Sequence, residues 1–373
     1  MTQPLARDVA DIELRPSPAP MAAERRKELM ADPLGFGRVF TEHMISIRWT
    51  AERGWHDGQL RPRAAIELDP AALVLHYGQA VFEGLKAYRQ ADGSVAAFRP
   101  LENARRFRRS AERMAMPPLP EETFLRSLEA LVAQDRDWVP SEPEQSLYLR
   151  PLMFATEPNL GVRPANEYLF LFIASPVGSY FPSGVEPVTA WVSTDRTRAV
   201  PGGTGDVKSA GNYAPTLLTQ MEAAQHGCGQ VLWLDSREHR WVEEMGAMNV
   251  FFVYDAGGQP HLVTPALTGT LLPGVVRHSL VTLARDLGYP VEEGRVAVDD
   301  LCGAGAPGRP LREVFACGTA AVITPLGTVR SPAGEWVIGD GRPGAVTMRL
   351  REALLAIQQG EAPDPHGWMH RVC

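Results

Sequence analysis

The sequence predicts an α/β protein of two domains, and three observations carry that expectation. The chain has 373 residues, about the length of two ordinary domains. Its hydrophobic and charged fractions, 45% and 22%, suit a chain with a sizeable buried core. Its second half alternates short β-like runs with stretches of helical period, the pattern of α/β folds.

The elements follow in order. Residues 1–30 read as an extended arm, rich in Pro and Ala, that leads into a short helix. The stretch AALVLHYGQAVFEGLKAYR (71–89) reads as strand, turn and strand. LENARRFRRSAERMAM (101–116) is helical, with Leu101, Ala104, Phe107 and Ala111 at helix spacing, and EETFLRSLEALVAQ follows as a second helix. SLYLRPLMFA and EYLFLFIASPV are β-like runs. GSYFPSGVEP (178–187) is dense in Gly, Pro and Ser and reads as a linker between domains of 1–177 and 188–373. Beyond it, VTAWVST is a strand, and NYAPTLLTQMEAAQHG is a helix ended by Gly227. QVLWLD and MNVFFVYD are strands. A helix starts just after Pro273 and Gly274 in LLPGVVRHSLVTLARDLGY. REVFACGTAAVITPL is a strand broken by a glycine turn, and AVTMRLREALLAIQQG closes with a helix.

Composition narrows the function. The formal net charge of -7 argues against nucleic-acid or anionic-membrane partners, which select a basic face. The N-terminus carries no apolar signal region, and the longest apolar run is too short to span a bilayer. Four scattered cysteines without a CxxC pair suit a reducing cytoplasm and suggest neither a disulfide framework nor a zinc site.

Several motifs resemble chemistry without meeting its requirements. GAGAPG (303–308) fits G-x-G-x-x-G but lacks a preceding strand and contains Pro307, so it reads as a loop. GGTGDVKS has Val207 where a phosphate-binding P-loop needs glycine, and Ala210 and Gly211 delay the helix. His366 and His370 in HGWMH lack the intervening glutamate of a zinc motif and read as part of a solvated tail.

The lysines are more informative. Only Lys27, Lys86 and Lys208 occur, and the other basic residues are arginine. Lys27 sits in a charged helical face, and Lys86 is structural or near a site. Lys208 lies among Gly205, Ser209, Ala210 and Gly211. Small neighbours leave room for a bulky planar partner, and an amine that loses hydration becomes available as a nucleophile. Tyr213 offers a phenol five residues on. WVEEMGAMN supplies Glu243 and Glu244, and a carboxylate in an apolar run needs a cationic partner. LPGVVRHS presents backbone N–H groups at a helix N-terminus, an anion site, and ACGTAAV adds a threonine hydroxyl and amides in a turn. Amine, carboxylate and phosphate cradle are together what pyridoxal 5'-phosphate (PLP) uses, although each feature alone also reads as capping or packing.

Seven segments in order, FEGLKAYR, YLRPLMFATEPNLGV, SPVGSYFP, KSAGNYAP, EEMGAMNVFFV, LPGVVRHSL and FACGTAAVITP, closely resemble the branched-chain amino acid aminotransferases. These are PLP enzymes of fold type IV, and the resemblance runs from about residue 75 to the C-terminus. It implies a two-domain α/β fold with the cofactor in the interdomain cleft and the 178–187 linker near its mouth. Lys208 would then hold the cofactor and move the proton. Glu244 would pair with the pyridine nitrogen, and Tyr213 with the phenolic oxygen. Arg106, rather than its neighbour Arg105, would hold the phosphate together with the amides of Val275 and Val276 and the Thr319 hydroxyl.

On the substrate side, Tyr77, Arg150 and the backbone at Ala320 and Ala321 would hold or order the α-carboxylate. Phe82, Tyr148 and Tyr180 would wall an apolar pocket. The implied reaction is ping-pong transamination of L-leucine, L-isoleucine or L-valine with 2-oxoglutarate, in a cytoplasmic homodimer. Many relatives carry threonine where Ala247 stands, and some carry a CxxC where Ala321 and Thr324 stand, so one carboxylate contact and a thiol switch are missing. The alternatives are a D-amino acid transaminase or an aminodeoxychorismate lyase of the same fold and, from another class, a non-catalytic or nucleotide-binding module.

Overall fold

The computed structural model describes residues 12–31, 34–180, 184–303 and 309–373. Part of the expected arm, residues 181–183 of the expected linker and residues 304–308 of GAGAPG lie outside the described residues. The chain divides into two compact units. The first takes Met1–Pro182, Lys208–Gly211 and Ile357–Cys373, and the second takes Ser183–Val207 and Asn212–Ala356. The units interleave where contiguous blocks of 1–177 and 188–373 were expected. The reason is strand pairing, which composition does not report: Ser209 bridges to Val81, and the C-terminal strand Met369–Arg371 pairs with Val95–Phe98.

In the first unit, the described residues form a sheet of nine strands, that C-terminal strand included. The others are β1 (Glu13–Leu14), β2 (His43–Thr50), β3 (Gly54–Pro62), β4 (Ala80–Phe82), β5 (Leu85–Arg89), β6 (Val95–Phe98), β7 (Ser146–Ala155) and β8 (Glu167–Val177). The order is β1-β3-β2-β8-β7-β5-β6-C-terminal strand, with β4 on β7, and every pairing but β1–β3 is antiparallel. Sequence patterning left residues 43–62 unassigned. They form a hairpin whose turn needs Gly54 at φ 69°, a conformation that favours glycine.

The helices of this unit are α1 (Ala23–Met30), α2 (Leu73–Tyr77), α3 (Pro100–Arg113) and α4 (Glu121–Gln134). Residues 73–77 are helical where a strand was expected, and Gly78 in the left-handed region at φ 66° stops them. A short apolar run carries no period that separates the two states. Pro100 opens α3 at its first turn, where a missing N–H costs nothing. Phe107 of α3 and Phe124 of α4 pack with Phe170 and Phe172 of β8, while Leu101, expected on the apolar face, is 37% exposed. The C-terminal residues, expected as a solvated tail, are tied down: Trp368 is buried and His370 pairs with Glu129 at 2.8 Å.

The second unit holds α5 (Leu217–Gln225), α6 (Val275–Asp286), α7 (Val298–Leu301) and most of α8 (Ala345–Gln358). Its strands are β9 (Val188–Val192), β10 (Gln230–Leu234), β11 (Val242–Met245), β12 (Met248–Ala256), β13 (Gln259–Pro265), β14 (Val291–Gly294), β15 (Leu311–Gly318), β16 (Val322–Ser331) and β17 (Gly334–Val337). The order is β11-β10-β9-β16-β15-β12-β13-β14, with β17 on β16. Because β11 also pairs with β12, six of these strands close into a ring. Its interior is apolar, built from Val192, Leu232, Phe252, Val314 and Leu326 among others. The expected helix 212–227 is shorter: two turns of 3-10 helix, Ala210–Asn212 and Ala214–Thr216, precede α5. Gly211 and Pro215 explain the delay.

Candidate active site

In the first unit, the tetrapeptide Lys208–Gly211 is laid against β4. Phe82 N–H donates to the Lys208 carbonyl at 3.0 Å, and Lys208 N–H donates to Ser110 Oγ of α3 at 3.0 Å. The backbone of Lys208 is thus held from a strand and a helix while its side chain stays half-buried. Its Nζ lies 5.0 Å from the centre of the Phe82 ring. Arg150 of β7 lies over the same ring at 5.0 Å and over Tyr148 at 5.3 Å, and its Nη2 donates to Tyr148 Oη at 3.1 Å. Phe36 meets Tyr148 edge-on at 4.8 Å. Lys208, Phe82, Tyr148 and Arg150 are therefore brought together, and Phe36 joins them without having been expected.

Gly84 is what lets the phenol in: a Cβ there would lie 2.0 Å from Tyr148 Oη. Lys86 stands opposite Tyr148 in the β5–β7 register and is buried. Tyr77 lies outside this cluster, 45% exposed on α2, with its hydroxyl donating to the Leu160 carbonyl. Tyr180 is 44% exposed and borders residues outside the described set.

Arg106 is buried on α3, and its Nε and Nη2 donate to the two oxygens of Glu83 at 2.6 and 2.8 Å. Burial pushes the Glu83 carboxyl up, but the charge and hydrogen bonds of Arg106, the Lys208 charge and Asn103 more than offset it and hold it below the usual range.

In the second unit, Glu244 of β11 is 2% exposed. Its Oε2 is 2.8 Å from Arg198 Nε, while Oε1 accepts Leu272 N–H at 2.9 Å and Asn249 Nδ2 at 3.2 Å. The cationic partner that a buried carboxylate needs is thus present within the protein. Arg198 also donates to the Gly205 and Thr270 carbonyls, and Gly205 has no room for a Cβ, which would lie 2.4 Å from Thr270 O. Neighbouring Glu243 points the other way along the strand; burial raises its carboxyl, offset in part by the Thr270 hydroxyl.

Glu244, Arg198 and Tyr213 line one small pocket with Val207, Asn212, Thr216, Gly246, Ala247 and Leu272. Gly274 precedes α6, and Val275 and Val276 are its first residues, whose N–H groups have no partner within the helix. A Cβ on Gly274 would meet Asn249 Oδ1 at 2.1 Å, so the same asparagine sets both Glu244 and the start of α6. Thr319, Ala320 and Ala321 form the turn from β15 to β16, and α6 packs on β15.

Residues 80–329 match the family model for class IV amino-transferases. The chain belongs to the class IV aminotransferase family. A probable branched-chain-amino-acid aminotransferase of Streptomyces coelicolor is 60% identical over 362 residues, 97% of this chain and 98% of that protein. The branched-chain-amino-acid aminotransferase of Mycolicibacterium smegmatis is 55% identical, covering 93% of this chain and 94% of that one. Among solved structures, the Escherichia coli branched-chain amino acid aminotransferase superposes with TM-score 0.75 at 27% identity, covering 89% of this chain and 100% of that chain. The T.th. branched-chain amino acid aminotransferase with pyridoxamine 5'-phosphate gives 0.72 at 30% identity, covering 88% and 98%. The mixed α/β architecture of this aminotransferase is theirs.

The donors and acceptors of this aminotransferase fit such a cofactor. Each carboxylate oxygen has two acceptor sites, and Glu244 lines the pocket and presents the carboxylate that a protonated pyridine nitrogen requires. A phenol lines the same pocket, a helix start presents amides, and an amine stands beside an aromatic wall. Among the described residues, no His, Cys, Asp and Glu group has metal-holding geometry, and no helix is long and apolar enough to cross a membrane. The partners that sequence reasoning missed are Glu83, Asn103, Ser110, Arg198, Asn249 and Phe36. The one signal available was the buried glutamate itself, which demanded a cation without naming it.

Proposed function

We propose that this aminotransferase moves the amino group of L-leucine, L-isoleucine or L-valine to 2-oxoglutarate, using PLP, and works as a homodimer. The observation that carries the reading is the seat of Lys208, whose backbone is held from both sides and whose amine faces Phe82 beside the Tyr148–Arg150 pair. The names of relatives up to 60% identical support the substrate class, and the solved T.th. structure with pyridoxamine 5'-phosphate supports the cofactor.

Lys208 would hold the cofactor through its amine and would take and return the proton at the Cα of the amino acid. When bound, PLP supplies an electron sink for the charge that develops at that Cα. Glu244, paired with Arg198 and held by two further donors, receives the pyridine N–H. Tyr213, which lines the same pocket, would donate to the ring oxygen. Arg106, the amides of Val275 and Val276 and the Thr319 hydroxyl hold the phosphate, a helix start being suited to an anion. Phe82, Tyr148 and Tyr180 wall the side-chain pocket and exclude water. Arg150, Tyr77 and the backbone at Ala320 and Ala321 receive carboxylates, and Arg150 carries a buried Nε without a partner that such a group would satisfy.

The test is the absorbance spectrum of the purified protein before and after L-leucine. A visible band that moves to the near-ultraviolet supports the cofactor and the first half-reaction. Bleaching by D-alanine but not by L-leucine transfers the activity to the D-specific relatives, and no band after reconstitution overturns the cofactor. Lys208→Ala should abolish turnover with leucine, and near-normal turnover would sink the assignment.

A further inference from the structure

The reading above leaves Glu83 without a task, yet Glu83 is fully buried in the first unit and its carboxylate is bonded through both oxygens. It follows β4, and its N–H donates to the Pro151 carbonyl at 2.8 Å. Its Oε1 accepts Arg106 Nε at 2.6 Å. Its Oε2 accepts Arg106 Nη2 at 2.8 Å, Asn103 Nδ2 at 2.8 Å and Gly84 N–H at 3.1 Å. Asn103, Arg106 and Ser110 lie at i, i+3 and i+7 on α3 and so share one face of the helix. Ser110 on that face accepts the Lys208 N–H. Glu83 follows Phe82, whose N–H holds the Lys208 carbonyl. One face of α3 and one strand end thus fix both Arg106 and the Lys208 backbone, with Glu83 as the hub.

A buried anion beside an arginine assigned to an anionic ligand is unfavourable on charge alone. It lowers the positive potential that the ligand would meet. Geometry supplies the compensation. Two parallel N–H···O bonds fix the plane of the guanidinium, so its orientation is set before a ligand arrives. We propose that Glu83 is a positioning residue: it holds Arg106 in the plane that receives the cofactor phosphate, and stabilises binding by orientation although its charge opposes it. The proposal rests on Arg106 holding the phosphate and deepens that reading.

Orientation and charge predict opposite signs for Glu83→Gln, which keeps the shape and removes the charge and one half of the fork. Cofactor would be removed from wild type and variant, and the return of the visible band on adding PLP would be titrated against inorganic phosphate as competitor. If Glu83 orients Arg106, phosphate competes about tenfold more weakly in the variant, the loss of about one charge-assisted hydrogen bond. The Kd for PLP should rise in step, while the KM for leucine measured at saturating PLP stays within about threefold. Phosphate competing as well as or better than in wild type overturns the proposal, because the carboxylate would then act only through its charge or as a packing element.

Should Glu83→Gln fail to fold, Asn103→Ala carries the test. It removes one of the bonds that hold the carboxylate, and weaker competition by phosphate of about threefold is expected. Unchanged competition in that variant overturns the proposal. A wild-type protein that forms no visible band with PLP would instead overturn the function proposed above, so the two failures are distinguishable.

Discussion

Replacing Gly84 by alanine puts a methyl group where Tyr148 stands. The added Cβ would lie 2.0 Å from Tyr148 Oη and 2.8 Å from its Cζ. Atoms in ordinary contact stand about 3.5 Å apart, so the phenol must retreat by more than ~1 Å. It has little freedom to do so. The ring is 8% exposed, packs edge-on against Phe36 at 4.8 Å and accepts Arg150 Nη2 at 3.1 Å. Overpacking of this kind costs about 1–3 kcal/mol, and losing the Arg150 bond adds about 1 kcal/mol. We therefore expect Gly84→Ala to lower Tm by roughly 4–12 °C. Because Tyr148 and Arg150 border the proposed substrate pocket, kcat/KM for L-leucine should fall by about 10- to 100-fold. The visible cofactor band should persist, since the amine and the Glu244 pocket are untouched.

Thermal melts and steady-state kinetics on wild type, Gly84→Ala, Tyr148→Phe and the double variant test this. Tyr148→Phe removes the oxygen in the closest clash, so the double variant should recover at least about 1 kcal/mol relative to additivity. A Gly84→Ala protein with wild-type Tm and kcat/KM, or a cycle that is simply additive, would refute the steric argument.

Two further predictions concern the second unit. Arg198→Met should cost about 3–5 kcal/mol in denaturant unfolding, because it leaves the Glu244 carboxylate, whose side chain is 3% exposed, without its cation. A loss below about 1 kcal/mol would mean that Asn249 and the Leu272 amide suffice. Asp235 closes the β10–β11 turn by accepting N–H bonds from Arg237, Glu238, Arg240 and Trp241. Burial pushes its carboxyl up, but these donors more than offset that and bring it down to about 2 from 3.8. The unfolded chain therefore binds the proton more readily, and stability rises with pH across this window. The advantage of wild type over Asp235→Asn should be complete above pH 3.8 and should fade as pH drops towards about 2. Unfolding curves from acid to neutral pH check this, and an advantage independent of pH would show that the carboxylate charge is not its source.

The local signals in this sequence were largely readable, for reasons specific to each element. Helix α3 is legible from Leu101, Ala104, Phe107 and Ala111 at helix spacing, of which the last three are buried and Leu101 is exposed. Helix α6 starts immediately after the Pro273–Gly274 pair. Lys208 stood out because it is one of three lysines and sits among small residues. The failures lie where local pattern is ambiguous. Residues 73–77 are a single helical turn and a bit more, too short to show a period, and 43–62 form a hairpin whose turn carries Gly54 as its one turn-forming residue. The return of Lys208–Gly211 to the first unit rests on the Val81–Ser209 bridge and on backbone bonds of Lys208 with Phe82 and Ser110, contacts that are remote in sequence.

Local pattern supplied the residue types available for chemistry and the order of motifs that places the chain among class IV aminotransferases. It also determined most of which helix faces are apolar, since apolar periodicity follows burial, with Leu101 the exception. Which side chains stand opposite one another came from long-range packing. Glu83 and Arg106 are 23 residues apart and Arg198 and Glu244 are 46 apart, yet both pairs are buried and in contact. Such pairs depend on strand register and helix placement. A one-residue slip would turn Glu244 to the other face of β11, and that register is set by the packing of the whole unit rather than by neighbours along the chain.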